Sequence, residues 1–316
     1  MIMARLRQYF SSKTPTLLVL ASILLLLLGR SWDILAESKQ NVVIITSSNS
    51  NYQQQTSARI REQLEANGVM AIIISPDDIF TSSQNGKTFY VAIGEQAIKS
   101  LYDFDSNAFV LRITSRKNTG HKYTSAQSDL ITAQPECRHI QLIKSINPGW
   151  SDVGVLSSID SLDIAAALTK CAIRHNLNLQ VYAITDKSDL LVTLEAAVED
   201  NKVLLAISDP FIYNSNTVKN ILLTAYRHRK PVIGYSDSFV QAGAVAAIYT
   251  SPESAGDKAA EIISSFFKNN WQFNKNIYVT DDFSISTNKQ VATSLDISIP
   301  DVESVRKSIN RMGHKP

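Results

Sequence analysis

Short apolar segments alternate with longer amphipathic ones from residue 41 almost to the end of the chain. Residues 41–47 (NVVIITS) are apolar and β-branched without alternation, which predicts a strand that is buried on both faces. Residues 51–68 carry Ile60 and Leu64 on one helical face and end at Gly68, which predicts an amphipathic helix and its stop. Because strands of this kind alternate with helices, the pattern predicts parallel sheets with helices on both sides.

The alternation forms two series, which the turn residues 147–149 (NPG) separate. In the first series, strands are predicted at 70–75, 88–94 and 108–115, a short helix at 95–101 and a helix at 135–146, with an irregular stretch at 116–134. In the second, strands are predicted at 152–158, 179–185, 202–208, 231–236 and 244–250, and helices at 161–176, 188–200, 216–229 and 252–268. The remainder predicts one strand within 276–286 and helices near 288–295 and 301–310. The fold class is therefore α/β, with two doubly wound parallel-sheet lobes.

Polar residues follow most of these predicted strands. Two successive strands even end in the same pair, Ser208-Asp209 and Ser236-Asp237. In open parallel sheets the carboxyl ends of the strands face the ligand crevice, and the N–H groups of the following helices point there as well. We therefore predict a ligand cleft between the lobes. Its candidate ligand-binding residues are Ser47, Ser48, Asn49, Gly94, Glu95, Gln96 and Thr114 in the first lobe, and Asp209, Asn216, Ser236 and Asp237 in the second.

Eight further residues at these strand ends belong to the predicted cleft: Tyr52 and Ser115 in the first lobe, and Ser157, Ser158, Asp160, Tyr213, Asn214 and Tyr235 in the second. Several candidates also have an ordinary structural interpretation. Asp209 and Asn216 are natural turn and N-cap residues, and Ser236-Asp237 would cap a turn. Ser47 to Asn49 would cap the helix that begins near 51, and Glu95 would complement a helix dipole.

Composition and charge favour a globular protein without affinity for nucleic acid. The chain has 316 residues, of which 44% are hydrophobic and 19% are charged. Four of its 31 basic and one of its 29 acidic residues lie within residues 1–36, so residues 37–316 carry 27 basic and 28 acidic side chains. A near-neutral body of this kind offers no basic surface for a phosphate backbone.

The N-terminus indicates export. Residues 1–13 are basic, and an uncharged segment at 14–29 follows, with a predominantly apolar core of 13 residues from Leu17 to Gly29. That core fits a signal peptide better than a membrane-spanning helix, which needs about 20 apolar residues. Cleavage after Ala36 is one reading, although Ile34 is larger than such sites prefer, and no cysteine follows for a lipid anchor. An uncleaved inner-membrane anchor and a buried core helix are the alternatives. Either of the first two readings places residues 37–316 in the periplasm.

The sequence contains no recognisable metal, cofactor or catalytic set. Cys137 and Cys171 lie in separate predicted helices, which favours two buried free thiols, although an exported protein could pair them. The histidines lack ligand spacing. The hydrolase, P-loop, dinucleotide-binding and zinc-protease motifs are also missing. We therefore predict a binding protein and not an enzyme. The alternative hypothesis, an enzyme, rests only on the carboxylates in the predicted cleft.

Residues 207–262 (ISDPFIYNSNTVKNILLTAYRHRKPVIGYSDSFVQAGAVAAIYTSPESAGDKAAEI) resemble the substrate-binding proteins of ABC transporters, of the type with tryptophan- and phenylalanine-binding members. The tail 281–301 (DDFSISTNKQVATSLDISIPD) resembles them as well. The resemblance implies a type I periplasmic-binding-protein fold, in which three chain crossings join two lobes that close on a ligand by hinge motion. It also implies that helix 252–268 returns to the first lobe. The expected organisation is a signal or anchor at 1–36, a first lobe at 41–148 plus about 251–272, and a second at 149–250 plus about 273–316.

In this resemblance, the predicted strand-end residues of both lobes match the family's ligand loops, and Asp209 or Asp237 would hold the ammonium group of an amino acid. Gly94-Glu95-Gln96 departs from the small residues common in amino-acid binders, and its carboxylate would repel an acidic ligand. The function implied is a monomeric extracytoplasmic protein that captures a small polar or aromatic ligand, such as an amino acid, for an ABC permease. The alternative is a membrane-tethered sensory or scaffold protein of the same fold that signals to an envelope partner.

Overall fold

The computed structural model describes residues 41–47, 50–81, 88–104, 108–116 and 124–313. The N-terminal segment 1–40 lies outside these residues, so its role in export or anchoring stays a prediction. Within the described residues, no helix combines the length and the apolar character that crossing a membrane requires.

Twelve strands and ten α-helices make up this part of the chain. The strands are β1 Asn41–Thr46, β2 Met70–Ile74, β3 Thr88–Ile93, β4 Phe109–Thr114, β5 Gln127–Ile131, β6 Asp152–Ser157, β7 Asn178–Ala183, β8 Val203–Leu205, β9 Val232–Gly234, β10 Ala246–Tyr249, β11 Ile277–Val279 and β12 Ser284–Thr287. The helices are α1 Asn51–Ala66, α2 Glu95–Phe104, α3 Glu136–Ile146, α4 Leu162–Arg174, α5 Leu190–Asp200, α6 Val218–Arg227, α7 Asp237–Ala242, α8 Pro252–Lys268, α9 Lys289–Ser294 and α10 Val302–Gly313.

The strands form two six-stranded sheets, which confirms the predicted α/β class with two doubly wound lobes. The first sheet has the order β11-β5-β4-β3-β1-β2, and all of its pairs are parallel. The second has the order β12-β10-β9-β8-β6-β7, and β12 alone runs antiparallel to its neighbour. Most strands are apolar on both faces because helices cover both sides of each sheet.

Helices α1 and α8 cover one face of the first sheet. Ile60 and Leu64 of α1 are fully buried, together with Ile263 and Phe266 of α8. The two helices approach closely at Gly256, where an added Cβ would lie 2.6 Å from the Arg59 side chain. Arg59 also donates two hydrogen bonds to Asp257, at 2.7 and 3.2 Å. Helix α8 therefore belongs to the first lobe.

The chain crosses between the sheets three times, at residues 132–135, 250–251 and 280–283. Buried polar side chains join the three crossings. Gln134 donates to the Thr250 hydroxyl at 2.6 Å and to the Asp282 carbonyl at 3.0 Å, and Thr250 lies 2.9 Å from the Thr280 hydroxyl. Since Gln134, Thr250 and Thr280 are at most 6% exposed, these hydrogen bonds replace water that the side chains have lost.

Two lobe boundaries differ from the sequence-based assignment. Helix α3, assigned to the first lobe, packs against α4 and α10 of the second. The segment 276–286, read as one strand of the second lobe, is two strands in different sheets: β11 pairs with β5 and β12 with β10. The third crossing, which contains the polar pair Asp281-Asp282, interrupts the segment that was predicted to be a single strand.

Strand β5 lies in the stretch that the sequence left irregular. Its residues Gln127, Ser128 and Asp129 are polar, yet all three are buried. Asp129 accepts a 2.5 Å hydrogen bond from the buried Arg112 of β4, and Ser128 donates to the Lys275 carbonyl at 2.9 Å. A strand whose inward polar side chains find partners elsewhere in the fold carries no apolar pattern, which is why sequence reasoning missed it.

Cys137 and Cys171 form a disulfide, which corrects the prediction of two free thiols. Helices α3 and α4 pack side by side in the second lobe and bring the two Cα atoms to 5.4 Å, within the range a disulfide requires. The sequence placed the cysteines in separate helices but carried no information on the distance between those helices.

Reduction of this disulfide is expected to destabilise the protein. The bond closes a loop with a sequence separation of 34 residues, and the entropy of closing such a loop corresponds to about 3–4 kcal/mol of unfolding free energy. Urea unfolding with and without reductant measures the difference. The unfolding free energy of a Cys137→Ser/Cys171→Ser double variant should equal that of the reduced protein and should not change when reductant is added. Equal stability of the oxidised and reduced wild type would contradict the pairing.

Candidate ligand-binding cleft

A cavity of about 630 Å³ lies between the two sheets. Six parallel strands direct their carboxyl ends toward it. The residues that follow these ends and line the cavity are Ser50 after β1, Ser115 after β4, Thr132 after β5, Ser208 after β8, Tyr235 after β9 and Thr250 after β10. The volume lies within the 300–1,000 Å³ typical of small-molecule sites.

The first turn of α1 forms the wall of the first lobe. Ser50 caps the helix by accepting a hydrogen bond from the Gln53 N–H, and Asn51, Tyr52 and Gln55 line the cavity. Burial raises the pKa of Tyr52 to about 12, against a smaller opposing effect of the Thr132 and Thr56 hydroxyls. The phenol is therefore neutral at physiological pH and is available as a hydrogen-bond donor.

Asp237 is the central charged residue on the wall of the second lobe. Its carboxylate accepts hydrogen bonds from Ser286 and Gln241, both at 2.5 Å, and from the Tyr249 hydroxyl at 3.4 Å. Tyr249 and Ser286 also share a 2.8 Å hydrogen bond. Because the three donors lie on β12, α7 and β10, the orientation of the carboxylate is set before any ligand arrives.

An aromatic cluster supports Tyr235 beside Asp237. The Tyr235 ring lies 4.7 Å from Phe239 and 6.4 Å from Tyr213, measured between ring centroids. Burial raises the pKa of Tyr235 to about 12, and the charge of Asp209 adds to the shift. Tyr235 therefore presents to the cavity an uncharged, well-packed aromatic ring with a hydroxyl group at its tip.

His139 lies on α3, one turn after Glu136, and both residues line the cavity. Burial lowers the pKa of His139 to about 4, so its imidazole is neutral at physiological pH. Its Nδ1 atom is buried and has no hydrogen-bond partner among the described residues.

The lobes also touch through Arg116, which follows β4. Its guanidinium donates to the Asp160 carbonyl and lies 3.3 Å from the Asp163 carboxylate at the start of α4. This contact and the three crossings connect the two sheets at different positions.

Of the predicted ligand-binding residues, the structure brings Ser236 and Asp237 to the cavity, together with Tyr52, Ser115 and Tyr235. Ser48 and Asn49 lie outside the described residues. The other candidates are not among the residues that line the cavity: Ser47, Gly94, Glu95, Gln96, Thr114, Ser157, Ser158, Asp160, Asp209, Tyr213, Asn214 and Asn216.

The loop after β3 is covered by another part of the first lobe. Gly94 has a φ of +85°, and a Cβ there would lie 2.2 Å from the Gln53 side-chain nitrogen. The α1 helix therefore covers this glycine, while Glu95 and Gln96 are exposed at the start of α2. Asn216 is likewise exposed, ahead of α6.

Asp209 is a structural residue of the second lobe. Its side chain is fully buried and accepts hydrogen bonds from the Ser158 N–H at 2.8 Å, the Ser161 hydroxyl at 2.5 Å and the Phe211 N–H at 3.0 Å. Burial raises the pKa of this carboxyl, but the hydrogen bonds from Ser161 and Ser158 outweigh it and leave the pKa below its ordinary value. The carboxylate holds two strand-end loops together.

Several cavity residues escaped the sequence reasoning. Most belong to the crossings or to the helices that start there: Thr132, Ala133, Gln134, Glu136, His139, Tyr249, Thr250, Ser251, Pro252 and Glu253. The signal that could have found them is topological, since a segment that leaves the carboxyl end of a strand in one sheet for a helix on the other must pass the cleft between them. Within the described residues, no group of three or more His, Cys, Asp or Glu side chains is arranged to hold a metal ion.

Substitution Asp209→Asn is expected to lower the unfolding free energy by about 1.5–3 kcal/mol at pH 7, because at least one buried donor then faces an amide NH2 group. The native pKa is depressed, so the stabilisation by Asp209 is complete above the unfolded pKa of about 3.9 and is lost as the pH falls through the lower native pKa. The difference between variant and wild type should therefore shrink below about pH 4.

Urea unfolding at several pH values provides the measurement. The exposed Glu199 on α5 supplies the control substitution Glu199→Gln. A stable Asp209→Asn protein that has lost ligand binding would contradict the structural role.

Comparisons with known proteins agree with this geometry. A family model described as ABC transporter substrate binding protein matches residues 112–309. A conserved domain protein from Vibrio cholerae is 18% identical, with a TM-score of 0.65 over 86% of this chain and 98% of its own. An ABC domain from Streptococcus pneumoniae in complex with L-Trp is 15% identical, with a TM-score of 0.65 over the same shares.

A third solved structure, the ligand-free, open form of a substrate binding protein with adhesive properties from Clostridium difficile, is 16% identical. Its TM-score is 0.68, over 84% of this chain and 97% of its own. At such identities these neighbours demonstrate the shared fold. No curated protein sequence matches the chain.

Proposed function

We propose that this chain, which belongs to the family of ABC transporter substrate-binding proteins, captures a small ligand between its two lobes outside the cytoplasm and presents it to an ABC permease. The observation that carries the proposal is the cavity of about 630 Å³, which residues of both lobes and of the crossings line together. The protein acts by binding, and the transported molecule leaves it chemically unchanged.

Hinge motion would give the ligand access to this cavity. The three crossings are short and lie together at one side of the cleft, where Gln134, Thr250 and Thr280 join them. Rotation about them would separate the cavity walls and break the contact between Arg116 and Asp163. A ligand that touches both walls stabilises the closed form because it binds that form better.

The cavity chemistry supports a small polar ligand with an aromatic or apolar part. Tyr52, Tyr235 and Tyr249 provide rings with polar tips, and serine and threonine hydroxyls provide donors and acceptors. The related domain from Streptococcus pneumoniae was solved with L-Trp, which makes amino acids one class for the screen.

A thermal-shift screen of amino acids, amines, nucleosides and small organic acids tests the binding function. A specific ligand at a hundredfold excess over its dissociation constant stabilises the folded protein by about 2.7 kcal/mol. We expect a clear rise of the melting temperature with one chemical class. A flat response to every class at millimolar concentration would overturn the transport proposal.

Substitution Asp237→Ala is expected to weaken the binding of the identified ligand by about 10- to 100-fold, because the loss of one charged hydrogen-bond partner costs about 1.5–3 kcal/mol. Isothermal titration measures the dissociation constant, and Glu199→Ala on the exposed face of α5 is the control. An unchanged dissociation constant would remove Asp237 from the site.

Closure predicts a smaller radius of gyration with ligand than without it. Small-angle scattering of the purified protein measures this value in both states. Superimposable curves at saturating ligand would contradict hinge closure even if binding is tight.

A second candidate, a membrane-tethered sensor or scaffold, follows from the N-terminus. The apolar core at 17–29 lacks a typical cleavage site, because Ile34 precedes Ala36 where a small residue is preferred. Mass spectrometry of the mature N-terminus decides between the two. A chain that begins near residue 37 supports release into the periplasm, whereas an intact N-terminus in the membrane fraction supports the tethered form.

A further inference from the structure

The charges that line the cavity are all of one sign. Glu136, Asp237 and Glu253 contribute three carboxylates, and the described residues that line the cavity include no lysine or arginine. Glu136 and Asp237 are partly buried, and Glu253 is exposed at the start of α8. A cavity with low-dielectric walls and one sign of charge attracts ligands of the opposite sign.

None of these carboxylates has an ion-pair partner in the described part of the chain. Two arginines adjoin cavity residues in the sequence, but both are engaged elsewhere. Arg116 contacts Asp160 and Asp163 across the lobes. Arg138 donates to Gln134 and, at 2.9 Å, to the Asp281 carbonyl. Among the described residues, therefore, no basic side chain compensates the negative charge of the cavity.

The surroundings of Asp237 show how the charge is kept. Its partners Ser286, Gln241 and Tyr249 are neutral, so they fix the position of the carboxylate without cancelling its charge. A positively charged ligand group meets a carboxylate that needs no reorganisation.

A second, independent feature lies on α3. The buried Nδ1 atom of His139 has no partner in the described residues, and its neutral ring lines the cavity one turn from Glu136. Residues three positions apart share a helix face, so the His139 ring and the Glu136 carboxylate lie on the same side of α3. In the tautomer that carries its proton on Nε2, the Nδ1 atom is a hydrogen-bond acceptor, and an ammonium group, which carries several N–H donors, matches an acceptor of this kind.

The helix N-termini at the cavity do not compensate the charge either. Helices α3, α7 and α8 begin at its wall, and each carries its own carboxylate in the first turn: Glu136, Asp237 and Glu253 respectively. These carboxylates offset the positive end of each helix, which would otherwise attract an anion. The rings of Tyr52, Tyr235 and Tyr249 add surfaces that attract cations.

We infer that the cavity selects a ligand with net positive charge, a primary or secondary amine joined to an aromatic or apolar group, in preference to the amino acid or carboxylic acid with the same apolar group. The inference rests on the proposed binding function and names its substrate class. The carboxylate of a zwitterion would enter a cavity to which the described residues contribute three carboxylates and no basic side chain.

Ligand sets matched in shape and different in charge test the inference on the full-length chain. Each set combines a 2-arylethylamine, the corresponding α-amino acid, the 3-arylpropionate and the 2-arylethanol; indole, phenyl and 4-hydroxyphenyl sets are used. Thermal shift followed by isothermal titration should show the amine binding at least about tenfold tighter than the amino acid and about a hundredfold tighter than the propionate. An amino acid or propionate that binds as tightly as its amine would overturn the inference and leave the binding function intact. Failure of every compound in every set would overturn the inference, and it would overturn the binding function as well only if the broader screen of amino acids, amines, nucleosides and organic acids is also flat.

Charge-removing variants provide the second readout. In Asp237→Asn, Glu136→Gln and Glu253→Gln, the ratio of amine to arylethanol affinity should fall, by about tenfold for Asp237→Asn, because the arylethanol reports any change in the site that is unrelated to charge. Glu303→Gln, in the exposed first turn of α10, is the matched control and should leave the ratio unchanged. A ratio that stays constant in all three cavity variants would show that these carboxylates do not select the cation.

Discussion

Three short crossings hold the two sheets together, and the hydrogen bonds between them are the constraint on which the cleft depends. Gln134 reaches both Thr250 and the Asp282 carbonyl, and Thr250 reaches Thr280. These side chains are buried, so each lost hydrogen bond would leave an unsatisfied polar group at the three described chain connections between the lobes. The same segments line the cavity, and ligand binding and lobe geometry are therefore physically linked.

The protein uses its buried charges in two different ways. Arg112 and Asp129 neutralise each other inside the first sheet. The Asp209 carboxylate accepts hydrogen bonds from backbone and serine donors and so joins two loops. These groups find their charge or hydrogen-bond partners within the lobes and stabilise them. At the cavity, by contrast, Glu136 and Asp237 carry charges that no basic side chain among the described lining residues balances. The contrast separates carboxylates that build the fold from carboxylates that are available to a ligand.

The aromatic residues show a similar division. Phe89, Phe266 and Trp271 pack edge to face in the core under α8, whereas Tyr235 packs on Phe239 with one side toward the cavity. Rigid packing behind Tyr235 leaves little conformational entropy to lose when a ligand contacts it. Recognition of a small molecule is supported by three observations: the chain belongs to the substrate-binding family, six strand ends meet at the cavity, and its aromatic wall is preorganised.

Much of this could be read from the sequence, because local patterns determine it. The β-branched runs and the face formed by Ile60 and Leu64 predicted the two doubly wound lobes, and the Ser-Asp pair at 236–237 was predicted to face the cleft. Other features depended on contacts between distant segments. The sequence did not reveal strand β5, because the polar Asp129 finds its partner in Arg112. The Cys137–Cys171 bond required two helices to pack. Asp209 points inward to Ser161 and Ser158, which lie 48 and 51 positions away in the sequence. Hydrophobic periodicity reports which face of an element is buried, whereas the partner of a buried polar group is decided only when the tertiary structure brings two distant segments together.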